Sequence, residues 1–412
     1  MQELLERFLR YVAVDTQAKP DAETVPSSAG QHKLARLLAE ELHRLNIPAD
    51  VDEHAYVTAS LPAKNAHPDA PVIGLLAHLD TALEASGKVH PRVIENYGGD
   101  DIELQPGMTL SPDMFPSLLD QKGKTLIVTD GTSLLGADDK AGIAVIMSVV
   151  SELLNDPASA HPAIKIAFVP DEEIGHGASL LDLGKFGADF AYTVDGSGLG
   201  AIEYENFNAA AATLTIRGLA IHPGYAKDHM LNAILLAQEF LNGLPQNERP
   251  STTEGKEGFF HVTDIEGEVG EASIHMIIRD HDAQRFEERK AFIRSLTDDM
   301  NRRYPAPEGD RFTISMKDQY RNMLECVKPH QHIVDTAMEA MQNCGLSPRI
   351  RAIRGGTDGA QLSWRGLPTP NLFSGVYNGH GPFEYVTLED MRKSADVVLR
   401  ILNLYAQPQN RK

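Results

Sequence analysis

The chain has 412 residues, a length at which one hydrophobic core usually gives way to two. Hydrophobic residues make up 42% and charged residues 23%, an ordinary balance for a soluble globular enzyme, while 38 basic against 58 acidic residues leave a formal charge of −20. So acidic a surface repels phosphate backbones and anionic lipid, which argues against nucleic acid and membrane as partners.

The N-terminal stretch mixes charges into apolar positions at helical spacing (Leu4, Leu5, Phe8, Leu9, Val12). It reads as an amphipathic helix and not as a signal peptide, so the cytoplasm is the expected compartment. No apolar run approaches the ~20 residues that span a bilayer. A second helical pattern, Leu34 to Leu45 in spacing, stops before Pro48. Apolar runs at 72–77, 125–129, 164–169 and 190–194 read as buried strands, with a helix over 141–154 between the second and third. Buried strands separated by helices predict a doubly wound α/β domain. Residues 90–123 are rich in Gly, Pro, Asp and Ser and read as a long functional loop with room for a hairpin.

Near residue 207 the pattern changes. Strands are expected at 209–218, 258–265, 272–279 and 312–316, and helices at 231–241 and 283–303. That β-α-β-β-α-β order is ferredoxin-like. Helices at 333–341 and 388–404 and a short strand at 349–352 return to the first style. The expected architecture is an α/β domain of residues 1–207 and 320–412, interrupted by an α+β lid of residues 208–319.

Five short motifs carry the chemistry. Leu76-Ala77-His78-Leu79-Asp80 follows a buried run, and residues two apart on a strand face the same side, so Asp80 can hold the ring of His78. Gly136-Ala137-Asp138-Asp139-Lys140 puts two adjacent carboxylates where a helix starts; a helix cap needs one, whereas a carboxylate has two oxygens and can bridge two cations. Asp171-Glu172-Glu173 follows another buried run. Such a cluster is either a solvated turn or acids gathered around a cation that neutralises their repulsion. Thr193-Val194-Asp195 ends a further run in an acid, and Asn378-Gly379-His380-Gly381 presents a histidine on a glycine-flanked loop. Cys326 and Cys344 have no CxxC partner, so a metal would be held by histidine and carboxylate. Two histidines and three carboxylates, His78, Asp138, Glu173, Asp195 and His380, suit two zinc ions with one carboxylate shared. Glu172 is then left over as a general base for the attacking water.

In this order the motifs AHLDT, GADDKAG, PDEEIG, YTVDG, ENFNAA, IRGGTDGAQLS and YNGHG resemble those of the two-zinc exopeptidases with an inserted lid, and within them the tripeptide aminopeptidases of the peptidase T type. The resemblance spans nearly the whole chain. It implies two Zn2+ per subunit, with His78 and Asp195 on one, Glu173 and His380 on the other, and Asp138 between them. It also implies Asp80 as the orienting partner of His78, Glu172 as acid and base, and a cis peptide bond after Asp138. His222 and Arg279 from the lid would face the oxyanion or the C-terminal carboxylate of a short peptide with a free N-terminus, and Arg354 would do similar work. For each arginine the alternative is an interface salt bridge. A lid of this kind often joins two subunits in a homodimer. The same scaffold also serves dipeptidases, carboxypeptidases and N-acyl amidohydrolases. A peptide-binding protein with a vestigial site would have lost a base or ligand, and all seven positions here are filled.

Overall fold

The computed structural model describes residues 1–85 and 87–408. It divides into two compact units. The first comprises Met1–Tyr204, Glu325–Arg351 and the chain from Thr357 onward; the second comprises Glu205–Leu324 and Ala352–Gly356.

The first unit is built on a mixed sheet. Its central strands, Ile164–Val169, Ile73–His78, Phe190–Ser197 and Asn371–Tyr377, lie side by side and parallel. Their apolar runs follow from burial on both faces, as in any doubly wound sheet. Ile73–His78 is buried along its entire length. The helix Ala137–Asn155 supplies one covering layer and buries Ile143, Val145, Ile146, Val149, Val150 and Leu153. Helices Gln2–Val12 and Leu388–Ala406 pack against it. The first of these turns Leu4, Phe8, Tyr11 and Val12 inward. Arg7 goes in with them, its charge met by the buried Glu41 at 2.7 Å. Parallel strands feed helices from their carboxyl ends, and that edge is where a doubly wound sheet places its ligands.

Several strands lay outside the sequence reading. Ala49–Val51 and Val57–Leu61 extend one end of the sheet; at the other, Tyr385–Thr387 and Arg92–Ile94 flank the expected strand Leu126–Val128. The region 90–123 holds the hairpin Ile102–Gln105 with Met108–Leu110, and also the strand Arg92–Ile94, which pairs with Leu126–Val128. The edge strands Ala49–Val51 and Arg92–Ile94 are partly exposed, so no apolar run marks them.

The second unit is a four-stranded antiparallel sheet in the order Phe259–Gly267, Glu271–Asp280, Asn208–Arg217, Phe312–Tyr320. Helices Ala233–Asn242 and Ala283–Arg303 complete the ferredoxin-like pattern. Each begins on a side-chain cap, Asn232 accepting from Ile234 N–H and Asp282 from Arg285 N–H. Leu214, Ile216, Phe240, Ile274, Ile278 and Ile293 form a core of its own. Among the described residues no helix is long and apolar enough to cross a membrane.

Candidate metal centre

Two groups of potential ligands meet at the carboxyl edge of the parallel strands: His78 with Asp138 and Asp195, and Asp138 with Glu173 and His380. Asp138 belongs to both. His78 is the last residue of its strand, and its Nε2 lies 3.0 Å from Asp138 Oδ1 and 3.7 Å from Asp195 Oδ1. His380 Nε2 lies 3.1 Å from Glu173 Oε2 and 3.5 Å from Asp138 Oδ2. Asp195 stands inside a strand that runs on to Ser197, further than its apolar run reaches.

The local backbone presents these side chains. Gly136 adopts a left-handed φ of 71° at the turn into the helix, and Asp138 and Asp139 have non-helical angles. The Asp138–Asp139 peptide is cis. Asp80 acts twice. The His78 Nδ1 approaches its carboxylate at 3.3 Å and its carbonyl oxygen at 3.1 Å. The same carboxylate accepts the backbone N–H of Glu172 at 3.0 Å and of Glu173 at 3.1 Å. Asp80 therefore ties the His78 strand to the loop bearing Glu173.

The donor set fits divalent cations. Imidazole nitrogen and carboxylate oxygen are the ligands such ions take from protein. Glu173 Oε1 is buried with no hydrogen-bond partner, an arrangement costly without a positive charge nearby. The protein groups alone also resist carrying their full charge. Burial, then Asp138, raises Asp195 to about 6 and Glu173 to about 8. Hydrogen bonding to Asp138 raises His380 to about 9. Burial favours the neutral form of Asp138, but bonds from His380 and His78 outweigh it and hold its carboxyl low. Divalent cations held by these side chains would supply the counter-charge in place of those protons.

Glu172 is half-buried on the same loop and is in neither ligand group. Burial raises its carboxyl well above the ordinary value; His78 opposes that, and Asp358, Asp195 and Glu173 add to it.

Sequence reasoning missed the residues that hold the ligands. The buried Glu384 accepts the N–H groups of Gly136 and Asp138, each at 2.8 Å. Asn371 accepts the N–H of Asp195 at 3.1 Å and donates to buried Glu203 at 3.0 Å. Asp171, first of three consecutive acids, turns away from its neighbours: its carboxylate accepts Ser27 N–H at 2.7 Å and Gln31 Nε2 at 2.6 Å. Asp358 accepts Ala178 N–H at 2.7 Å just beyond the Glu172–Glu173 loop. A glutamate or asparagine at a loop or strand start carries no local signal for such work.

His222, Arg279 and Arg354 belong to the second unit, whereas the whole acidic cluster belongs to the first. His222 is exposed, with Nδ1 accepting Gly224 N–H at 3.2 Å. Arg279 is buried beneath the ring of Tyr320 at 5.1 Å. Arg354 donates to Gly255 O at 2.8 Å and Thr253 Oγ1 at 2.9 Å, and stacks on Phe207 and Phe259. Its guanidinium is thus occupied within its own unit, by backbone and aromatic rings and not by an acidic partner.

Comparison with known proteins agrees with this architecture. Residues 204–307 match the family model described as a peptidase dimerisation domain. A peptidase T from Geobacillus kaustophilus is 50% identical over 410 residues, covering 98% of this chain and 99% of that protein. Among solved structures, an aminopeptidase from Bacillus cereus superposes with a TM-score of 0.75 at 22% identity, with 98% of each chain covered. A dinuclear metal-binding peptidase of the M20 family from Bacillus subtilis superposes with a TM-score of 0.65 at 14% identity, covering 98% of this chain and 97% of that one. At such identities the two structures speak for the fold.

Proposed function

Because the chain belongs to the peptidase T family and is a hydrolase of peptide bonds, we propose that it releases the N-terminal residue of tripeptides, with two zinc ions per subunit and Glu172 as general base. The observation that carries this reading is the pair of three-residue ligand groups meeting at Asp138.

In this reading His78 and Asp195 would hold one ion, Glu173 and His380 the other, and Asp138 would serve both. Such a pair supplies Lewis-acid polarisation of the peptide carbonyl and acidifies water. The chain's own residues do the rest. Glu172, its carboxylate made more basic by burial, takes a proton from the attacking water as the oxygen bonds to the carbonyl carbon. The same carboxyl returns that proton to the leaving nitrogen as the C–N bond breaks. Asp80 fixes the ring of His78 and the Glu172 backbone together. His222 and Arg279 are assigned to the negative charge developing on the carbonyl oxygen or to the peptide's C-terminal carboxylate, and Arg354 to the same task. The matched dimerisation domain supports a homodimer formed through the second unit.

Hydrolysis of an unblocked tripeptide and its N-acetylated twin, by zinc-loaded and chelator-treated protein, tests the proposal. Zinc-dependent cleavage of the free peptide alone is expected. Cleavage of the blocked peptide would move the chain to the carboxypeptidase or deacylase activities of the same scaffold.

A further inference from the structure

The first unit contains a cavity of about 480 Å3 beside the strand ends that carry the ligands. On one side it is lined by Tyr377 and Asn378, the residues just before Gly379 and His380; on another by Gly198 and Leu199, just past the strand that holds Asp195. Arg349 and Arg351 line it from the strand Arg349–Ile353, two positions apart and so on the same side. Lys124 also lines it, its ammonium bound to Asp390 at 2.6 Å and to Gln121 at 2.8 Å. Among the described residues of the lining the acidic one is Asp120.

Gly198 makes room for this arrangement. A Cβ there would lie 3.1 Å from Arg351 Nη1 and 3.8 Å from Arg349 Nη2, so both guanidinium groups approach where a side chain would stand. Arg349 also donates to Leu199 O, which fixes one edge of its fork. On a chain of net charge −20, two guanidinium groups converge on one cavity, with the buried carboxylate of Glu203 near enough to Arg351 for their charges to interact. Planar forks so placed match a carboxylate by paired hydrogen bonds.

We propose that this cavity binds a carboxylate of the peptide substrate and so sets a preference among peptides. The proposal rests on the aminopeptidase reading above. Gly379 alone separates Asn378 of the lining from His380, so the cavity wall continues into the ligand loop, and at about 3.3–3.6 Å per residue of extended peptide a carboxylate carried on the tripeptide itself is the candidate occupant. The carboxylate comes from an acidic side chain or from the peptide's own C-terminus.

Three matched pairs separate these sources: Glu-Leu-Gly against Gln-Leu-Gly, Leu-Glu-Gly against Leu-Gln-Gly, and Leu-Gly-Gly against its C-terminal amide. Each is measured with the parent protein and with the Arg349→Ala, Arg351→Ala and double variants. The parent should favour the carboxylate-bearing member of at least one pair about tenfold or more in kcat/KM, chiefly through KM, and that pair names the source. In the double variant the ratio should fall toward one. Using the ratio within a pair separates carboxylate recognition from any general loss of folded protein. A ratio near one for every pair in the parent, or a preference that the double variant leaves intact, would overturn the proposal. If the parent cleaves no unblocked tripeptide, the aminopeptidase reading fails by itself. The cavity is then judged by calorimetric titration of glutarate: binding to the parent that the double variant loses supports it, and equal or absent binding overturns it.

Discussion

The carboxylate of Glu384 accepts the backbone N–H of Asp138 at 2.8 Å, and so positions the residue common to both ligand groups without touching a ligand atom itself. Replacing Glu384 by Ala should leave the N–H groups of Gly136 and Asp138 without an acceptor and loosen Asp138. Metal affinity should fall about 10–100-fold, the usual effect of losing such support. Titration against a metal buffer measures it, and unchanged affinity would remove Glu384 from the site.

Glu172→Gln removes the proton carrier and keeps the side-chain shape. Turnover of a tripeptide should fall about 10²–10⁴-fold while two ions per chain remain by elemental analysis. Rates within a few-fold of the parent would assign the proton transfer to another group.

For Asp138→Ala the metal should go as well as the turnover. Both ligand groups contain Asp138, so at least one ion per chain should be lost along with activity. Two ions held at full occupancy would contradict a shared ligand.

Metal binding should also release protons. His380 is held at about 9, with hydrogen bonding to Asp138 as the main cause, and so carries a proton at pH 7 that an ion on its Nε2 must displace. Apparent affinity should therefore rise with pH up to about that value, by about tenfold per unit for each proton released. Calorimetry in buffers of different ionisation enthalpy counts those protons; a count of zero at pH 7 contradicts the protonated histidine.

Far from the ligands, burial pushes the Glu41 carboxyl up, but hydrogen bonds from Arg7 and Tyr11 and the charges of Arg10 and Arg7 outweigh it and hold it below the ordinary value. A depressed carboxyl stabilises the fold above its unfolded pKa of about 4.3, and that contribution is lost as the pH falls through the folded value. Glu41→Gln should cost about 1–3 kcal/mol at pH 7, because it leaves buried Arg7 with the exposed Glu3 as its remaining counter-charge. The gap between parent and variant should narrow on acidification below pH about 5, as denaturant melts at several pH values would reveal. A gap constant with pH would show that the charge of Glu41 adds nothing.

Much of the fold was legible because burial writes itself into composition. The strands Ile73–His78 and Ile164–Val169 are apolar throughout, and a buried run that ends in a histidine or an acid is unusual enough to notice. The strands Ala49–Val51 and Arg92–Ile94 are edge strands whose pairing comes from backbone alone, so side-chain pattern could not announce them. At the site, acids standing next to one another were visible, but their separate directions were not. Asp171 and Glu173 are two residues apart, yet Asp171 faces Ser27 and Gln31 while Glu173 faces His380. That choice is made by the left-handed backbone at Asp171, with φ of 55°, and by partners more than a hundred residues away. Glu384 and Asn371 escaped notice for the same reason: their roles exist only across long stretches of chain.

The two-way grip of Asp80 bears on how such a protein tolerates change in length. Its carboxylate meets the Glu172 and Glu173 backbone directly, so the spacing between these groups is set by contact and not by the chain that joins them. The exposed turn at residues 156–158, just after the helix Ala137–Asn155, can be lengthened without moving the ligand groups, whereas His161 is buried and bridged to Lys64. The geometry is indexed to one aspartate, which leaves surface loops free to drift over evolutionary time.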